Sequence, residues 1–161
     1  VNISTIELHL DIAADLSASL QASVPAREQI LQWLTAALQQ VKYTKPIELT
    51  LRVVTIEESN QLNLTYRNKN NPTNVLSFES DIPEYVDSAY IGDMVICAEV
   101  LASEAKNQNK INAAHWAHLC VHGLLHLLGY DHLDEIDAAE MEAIEIATLA
   151  AMCIDDPYDD R

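Results

Sequence analysis

Apolar and polar residues alternate from Ile6 to Ile12, with Leu8 and Leu10 on one side and Glu7, His9 and Asp11 on the other. A period of two predicts a half-buried strand. Residues 16–24 carry no clear period and receive no assignment. Pro25 permits a helix start, after which Ile30, Leu31, Leu34, Ala37, Leu38 and Val41 recur at helical spacing, with Trp33 towards the edge of that face. This predicts an amphipathic helix over 26–41, ended before Pro46. Ile47, Leu49, Leu51 and Val53 alternate again, then Val54 and Ile56 break phase; the β-branched content predicts a well-covered strand over 47–56. Glu57 and Glu58 open a helix over 57–67, and residues 68–72 form a turn cluster. A short strand over 73–78 follows, then an acidic irregular stretch over 79–88. The next strand, over 90–97, is interrupted near its start by Gly92 and Asp93. Three helices complete the pattern, over 98–109, over 111–128, and from an Asp134 N-cap to about Met152.

The order β-α-β-α-β-β-α-α-α contains no repeat. Four strands cannot hide both faces behind one another, so helices must cover them. The predicted class is α+β: a small four-stranded mixed sheet covered by helices, with parallel pairing where a helix connects two strands. With 161 residues, the chain reads most simply as one domain over 1–161. Ala117, Cys120, Val121, Leu124 and Leu125 give the 111–128 helix apolar sides, which places it at the centre.

That helix carries the chemistry. His122 and His126 are four residues apart, hence one turn and about 6 Å apart on a single face. Gly129 stands where a left-handed C-terminal residue is wanted, and His132 follows the turn it permits. Three imidazoles in this arrangement make a metal site that leaves the fourth position of a tetrahedral Zn²⁺ open for water. His118 continues the stripe, but at about 12 Å from His126 it cannot share that ion and is expected to be packed or to face substrate. His115 is expected to be structural or exposed. In helical zinc proteases of the His-Glu-x-x-His type the glutamate is the general base; here Gly123 occupies its position.

Charge and cysteine content narrow the setting. The net charge is −16, a poor field for attracting RNA, but the acid is concentrated after residue 134. Lys42, Lys45, Arg52, Arg67 and Lys69 leave a local basic patch in the middle of the chain. No apolar run approaches membrane-spanning length, and the first residues are not a basic-then-apolar leader. Cys97, Cys120 and Cys153 lack paired spacing and read as buried thiols of a reducing, cytoplasmic protein.

Three blocks resemble one family, the YbeY-type rRNA maturation factors, which are small zinc-dependent endoribonucleases. The blocks are His-Gly-x-Leu-His-Leu-x-Gly-Tyr-Asp-His at 122–132, Tyr-Arg-x-Lys-x-x-Pro-Thr-x-Val-Leu-Ser-Phe at 66–78, and the Gly-Asp-hydrophobic strand at 92–96. The resemblance implies a zinc-protease-like α+β fold. It implies one Zn²⁺ per chain on His122, His126 and His132, with Arg67 as a catalytic residue. It further implies single-strand-specific RNA cleavage, 16S rRNA 3′-end maturation on the small subunit or the 70S ribosome, and late-stage ribosome quality control. Ribosome-associated protein partners and a cytoplasmic monomer go with that expectation. Asn70 and Glu79 depart from the family pattern, and Glu79 adds negative charge beside the expected RNA groove. Asp93 and Asp131 are candidates for orienting a ligand histidine; Thr73, Asn74 and Ser77 are candidates for hydrogen bonds along the cleft. The missing glutamate leaves attack by water and attack by the RNA 2′-hydroxyl both open. Two rival readings are a metalloprotease with a displaced base and a non-enzymatic assembly factor with structural zinc.

Overall fold

The computed structural model describes residues 5–159. Its elements are β1 (Ile6–Ile12), α1 (Ala18–Ser23), α2 (Arg27–Gln40), β2 (Ile47–Val54), α3 (Ile56–Arg67), β3 (Val75–Glu79), β4 (Tyr90–Cys97), α4 (Ala98–Asn107), α5 (Asn112–Leu127) and α6 (Glu135–Ala151). The strands form one sheet in the order β1-β2-β4-β3. β1–β2 and β2–β4 are parallel, and β3 pairs antiparallel with β4 at the edge. The class is the expected α+β.

Strand alternation assigns the two faces. Leu49, Leu51, Val53, Met94 and Ile96 point into the main core, which they share with Ile30, Leu34 and Leu38 of α2, Leu101 of α4, and Trp116, Val121, Leu124 and Leu125 of α5. Val54, Leu76, Val95 and Cys97 point the other way, into a smaller cluster with Ile56 and Leu62 of α3. The phase break at Val54–Ile56 is thus the exit from β2. Thr55 caps α3, its hydroxyl accepting from the Glu58 amide at 3.2 Å.

Trp33, towards the edge of its helix face, is buried. Three points of the sequence reading change. A short helix, α1, occupies part of the unassigned 16–24 stretch, capped by Ser17. Cys153 is exposed, while Cys97 and Cys120 are buried. β4 is continuous through Gly92; the irregularity is a one-residue slip, with Glu48 opposite Tyr90 and Leu49 opposite Gly92. Gly92 takes φ +141°, and a Cβ there would strike the Phe78 carbonyl, so only glycine fits this bulge.

α3 is tied down by polar groups. Buried Ser59 and Asn63 hold the following turn: the Ser59 hydroxyl donates to the Thr73 carbonyl at 2.9 Å, and the Asn63 amide to the Asn71 carbonyl at 2.9 Å. Asn68 ends the helix in the left-handed region at φ 59°. These bonds fix where Arg67 leaves α3 and where β3 begins.

Candidate metal centre

α5 lies against the sheet because Gly123 has no side chain. A Cβ at 123 would penetrate Met94 Sδ and come within 2.8 Å of its Cγ and 3.3 Å of Ser77 Oγ. The close approach lets the Ser77 hydroxyl donate to the Gly123 carbonyl at 3.1 Å. The position that carries glutamate in a protease helix is therefore packed against Met94 and Ser77. Packing leaves no room for a general base there.

The end of α5 then turns the chain. The Tyr130 amide donates to the Leu125 carbonyl and the Gly129 amide to the His126 carbonyl, both at 3.0 Å. This is the paired closure of a Schellman turn, with Gly129 at φ +101°. Five residues later Asp134 caps α6, accepting from the Asp137 amide at 2.8 Å. Between these two fixed points, the Asp131 carboxylate accepts from the His132 amide at 2.7 Å. Asp131 thus holds the backbone of His132 rather than a ligand ring.

The result brings His122, His126 and His132 together, with one nitrogen from each within 4.8 Å of the others. The Nε2 atoms of His122 and His126 are 3.2 Å apart. Two nitrogens on one tetrahedral ion with bonds of about 2.0–2.1 Å lie about 3.3 Å apart, so this pair fits a shared metal ion. Burial, followed by the neighbouring His122 and His132, holds the His126 pKa below the usual imidazole value. A neutral ring is the form that ligates.

Glu145, absent from the expected site, organises the ring behind this cluster. It is 1% exposed. Its Oε1 accepts from His118 Nε2 at 2.8 Å, His122 Nδ1 at 3.1 Å and the Tyr158 hydroxyl at 2.9 Å. A proton on His122 Nδ1 leaves the Nε2 lone pair facing His126, the tautomer a metal requires. Burial opposes the charge on Glu145, but hydrogen bonds from His118 and His122 outweigh it and bring its pKa down to about 2. Burial keeps His118 below the usual imidazole value against the pull of Glu145. His118 is thus packed, as one of its two expected roles. His115 is structural, 4% exposed, with Nε2 2.9 Å from Glu104.

In sequence, Glu145 is four residues from both Met141 and Leu149, in the buried stripe that also contains Thr148. A lone carboxylate on that apolar stripe was the available signal, because buried charge needs a partner.

A cleft of about 740 Å³ opens over the three histidines, bordered by β3 and the end of α3. Arg67 and Lys69 line it, as do Glu79 and Asp131. Arg67 is exposed; its guanidinium donates to the Ser77 carbonyl at 2.9 Å and the Tyr66 carbonyl at 3.3 Å, and lies 5.0 Å from the Phe78 ring centroid. Neutral carbonyls position the group without cancelling its charge. Arg52 contrasts with it: Glu58 grips Arg52 with two bonds at 2.5 and 2.7 Å, and Asp11 adds a third at 2.6 Å. The basic patch thus loses Arg52, leaving Arg67 and Lys69 as the cationic groups of the cleft. Of the other candidates, Asp93 accepts from the Tyr90 hydroxyl, not from a histidine. The Asn74 amide donates to Glu104 at 3.0 Å, and the Ser77 hydroxyl is taken by Gly123.

The fold and the clustered imidazoles define a class: α+β proteins with a helix-borne histidine group able to coordinate a metal ion. The family model for Endoribonuclease YbeY matches residues 15–152, and the chain belongs to that family. Among solved structures, the chain is similar to the solution structure of TM1509 from Thermotoga maritima, with 18% identity, a TM-score of 0.54 and 92% of each chain covered. At that identity the likeness concerns the fold alone. No described helix is long and apolar enough to cross a membrane.

Proposed function

We propose that this protein is a zinc-dependent, single-strand-specific endoribonuclease whose site is the cleft over His122, His126 and His132. The carrying observation is that three imidazole nitrogens converge under a cleft that also presents Arg67, in a chain of an endoribonuclease family. His122, His126 and His132 would hold Zn²⁺, which when bound supplies Lewis acidity and a lowered pKa for water. Glu145 keeps His122 in the ligating tautomer. Arg67 binds a phosphate oxygen and offsets the charge that builds in the transition state. Its planar fork suits two phosphate oxygens, so lysine is a poor substitute.

The attacking group is water or the 2′-hydroxyl of the adjacent ribose. Gly123 removes the usual carboxylate base, and the acids lining the cleft are Glu79 and Asp131. A 2′,3′-cyclic phosphate on the product selects the 2′-hydroxyl. We further propose that the substrate is the 3′ end of 16S rRNA on the ribosome. The net charge of −16 gives little steering toward free RNA, so ribosome-bound partners are assigned the recruiting role.

The test compares the parent chain with Arg67→Ala and His126→Ala on a single-stranded oligoribonucleotide and its duplex, with metal content measured in parallel. Arg67→Ala should keep metal and fold while kcat falls by about 10²–10³; His126→Ala should lose metal and cleavage together. A metal-loaded parent that leaves the single strand intact, or an Arg67→Ala chain cutting at the parental rate, would overturn the reading.

A further inference from the structure

The chain after α6 returns to the back of the histidine cluster. Cys153 takes φ 60°, and the Cys153 and Ile154 amides donate to Ala150 and Leu149 at 3.0 and 2.9 Å. This is a Schellman reversal built on a non-glycine residue, in a left-handed conformation that L-residues disfavour. The reversed segment is then fastened. Lys110, in the loop before α5, donates to the Pro157 carbonyl at 2.7 Å, and Asp156 accepts from the Tyr158 amide at 2.8 Å. Tyr158 enters next to His118, ring centroids 5.3 Å apart and edge to face. Its hydroxyl donates to Glu145 at 2.9 Å, and His118 Nε2 lies 3.2 Å from its oxygen. The segment lies beyond the residues matched by the family model, which end at 152.

We infer that Tyr158 is a positioning residue of the metal centre, acting on His122 through Glu145. One carboxylate oxygen receives three donors: His118, His122 and Tyr158. His122 therefore shares its acceptor, and its ring orientation depends on how the other two place that oxygen. Glu145 is supplied by α6, His118 and His122 by α5, and Tyr158 by the returning segment. The tyrosine ties the third of these pieces to the first two. The inference rests on His122 being a metal ligand, as proposed above.

Two readouts separate this inference from that reading. The first is side-chain nitrogen NMR of the histidines in the full, metal-free chain at fixed pH. The parent should show His122 protonated on Nδ1 and His118 on Nε2, and Tyr158→Phe, which keeps the ring packing, should move both sets of resonances. The second is Zn²⁺ affinity by competition with a chromophoric chelator. Tyr158→Phe should bind about three- to tenfold more weakly, less than the roughly 10–100-fold expected for a group that touches a ligand directly. Removing everything after Cys153 should cause at least as large a loss. Unmoved His118 and His122 resonances in Tyr158→Phe overturn the inference whether or not the chain binds zinc. So does a zinc affinity within twofold of the parent, or a tighter one. A parent that shows the expected resonances but binds no zinc defeats the metal reading and leaves the Tyr158–Glu145–His122 linkage to be judged on the NMR result.

Discussion

Replacing Gly123 by alanine tests why α5 can lie so close to the sheet, and hence why the protease glutamate is absent. On helix propensity alone the change should stabilise, by about 1 kcal/mol. The structure argues for the opposite sign. The new methyl would overlap Met94 Sδ and sit 2.8 Å from Met94 Cγ, and Met94 is 0% exposed. A buried thioether cannot swing into solvent, so either α5 lifts or Met94 leaves its rotamer. Overpacking of this kind costs about 1–3 kcal/mol, and lifting α5 would also stretch the Ser77–Gly123 hydrogen bond of 3.1 Å. The net expectation is a loss of about 1 kcal/mol, or roughly 2–4 °C in Tm for a chain of this size. Thermal unfolding followed by circular dichroism measures it. A double-mutant cycle with Met94→Ala gives the sharper result. Met94→Ala alone should cost about 2–5 kcal/mol. Added to Gly123→Ala it should cost at least about 1 kcal/mol less than the sum, because the alanine fills space the methionine vacated. A Gly123→Ala chain that melts higher than the parent, or a strictly additive cycle, would refute the packing argument.

Gly129→Ala should behave differently: nothing surrounds its Cβ position, and only φ +101° resists the change. A loss of about 1–2 kcal/mol is expected, with weakened zinc binding because His132 hangs from this turn; equilibrium denaturation and chelator competition check the two halves. Glu145→Gln removes the anionic acceptor of His122 and should weaken zinc binding by about 10–100-fold in the same competition assay. In the metal-free chain, stability should fall as pH drops below about 6.5. His118 and His126 are held below their ordinary values by burial, so the unfolded chain takes up protons there that the folded chain refuses. A second fall belongs to Glu145, whose lowered pKa favours the folded state above the ordinary carboxylate value and ceases to do so as pH falls through about 2. Urea melts at pH 7.5, 5.5, 4 and 3 follow both, and equal midpoints at pH 7.5 and 5.5 would count against neutral His118 and His126. Stripping bound zinc should lower Tm, since a ligand present at 100 times its Kd adds about 2.7 kcal/mol; a melting curve unchanged by chelator would contradict the metal site.

Periodicity carried most of the fold because the core is built from side chains on regular faces. Ile47, Leu49, Leu51 and Val53 announce one face of β2, and all four are buried. Where stability comes from polar atoms, the pattern falls silent. α3 buries Ser59 and Asn63, whose partners are backbone carbonyls of the next turn; no apolar period reports a bond of that kind. α1 has no buried residue at all, so it had no stripe to display. The three-histidine group was legible because two members share a helix face and the third follows a glycine that can reverse the chain. Glu145 was not, because its relation to His122 spans 23 residues and exists only after α5 and α6 pack. A charge inside the stripe of Met141, Thr148 and Leu149 was the trace it left.

The same distinction applies to charge. A count of residues assigns five bases to the middle of the chain, yet Arg52 is held by Glu58 and Asp11, and the carboxylate attraction leaves its guanidinium firmly charged but locally neutralised. Arg67 differs because its described partners are the carbonyls of Ser77 and Tyr66. Carbonyl dipoles orient a guanidinium without cancelling its unit charge, so the cation remains available to an incoming anion. An arginine in a carboxylate grip must give up that pair before it can bind phosphate, at a cost that ligand binding has to offset. Arg67 owes no such exchange. In a chain with a net charge of −16, this local freedom, rather than any overall field, is what the proposed contact with a phosphodiester would draw on.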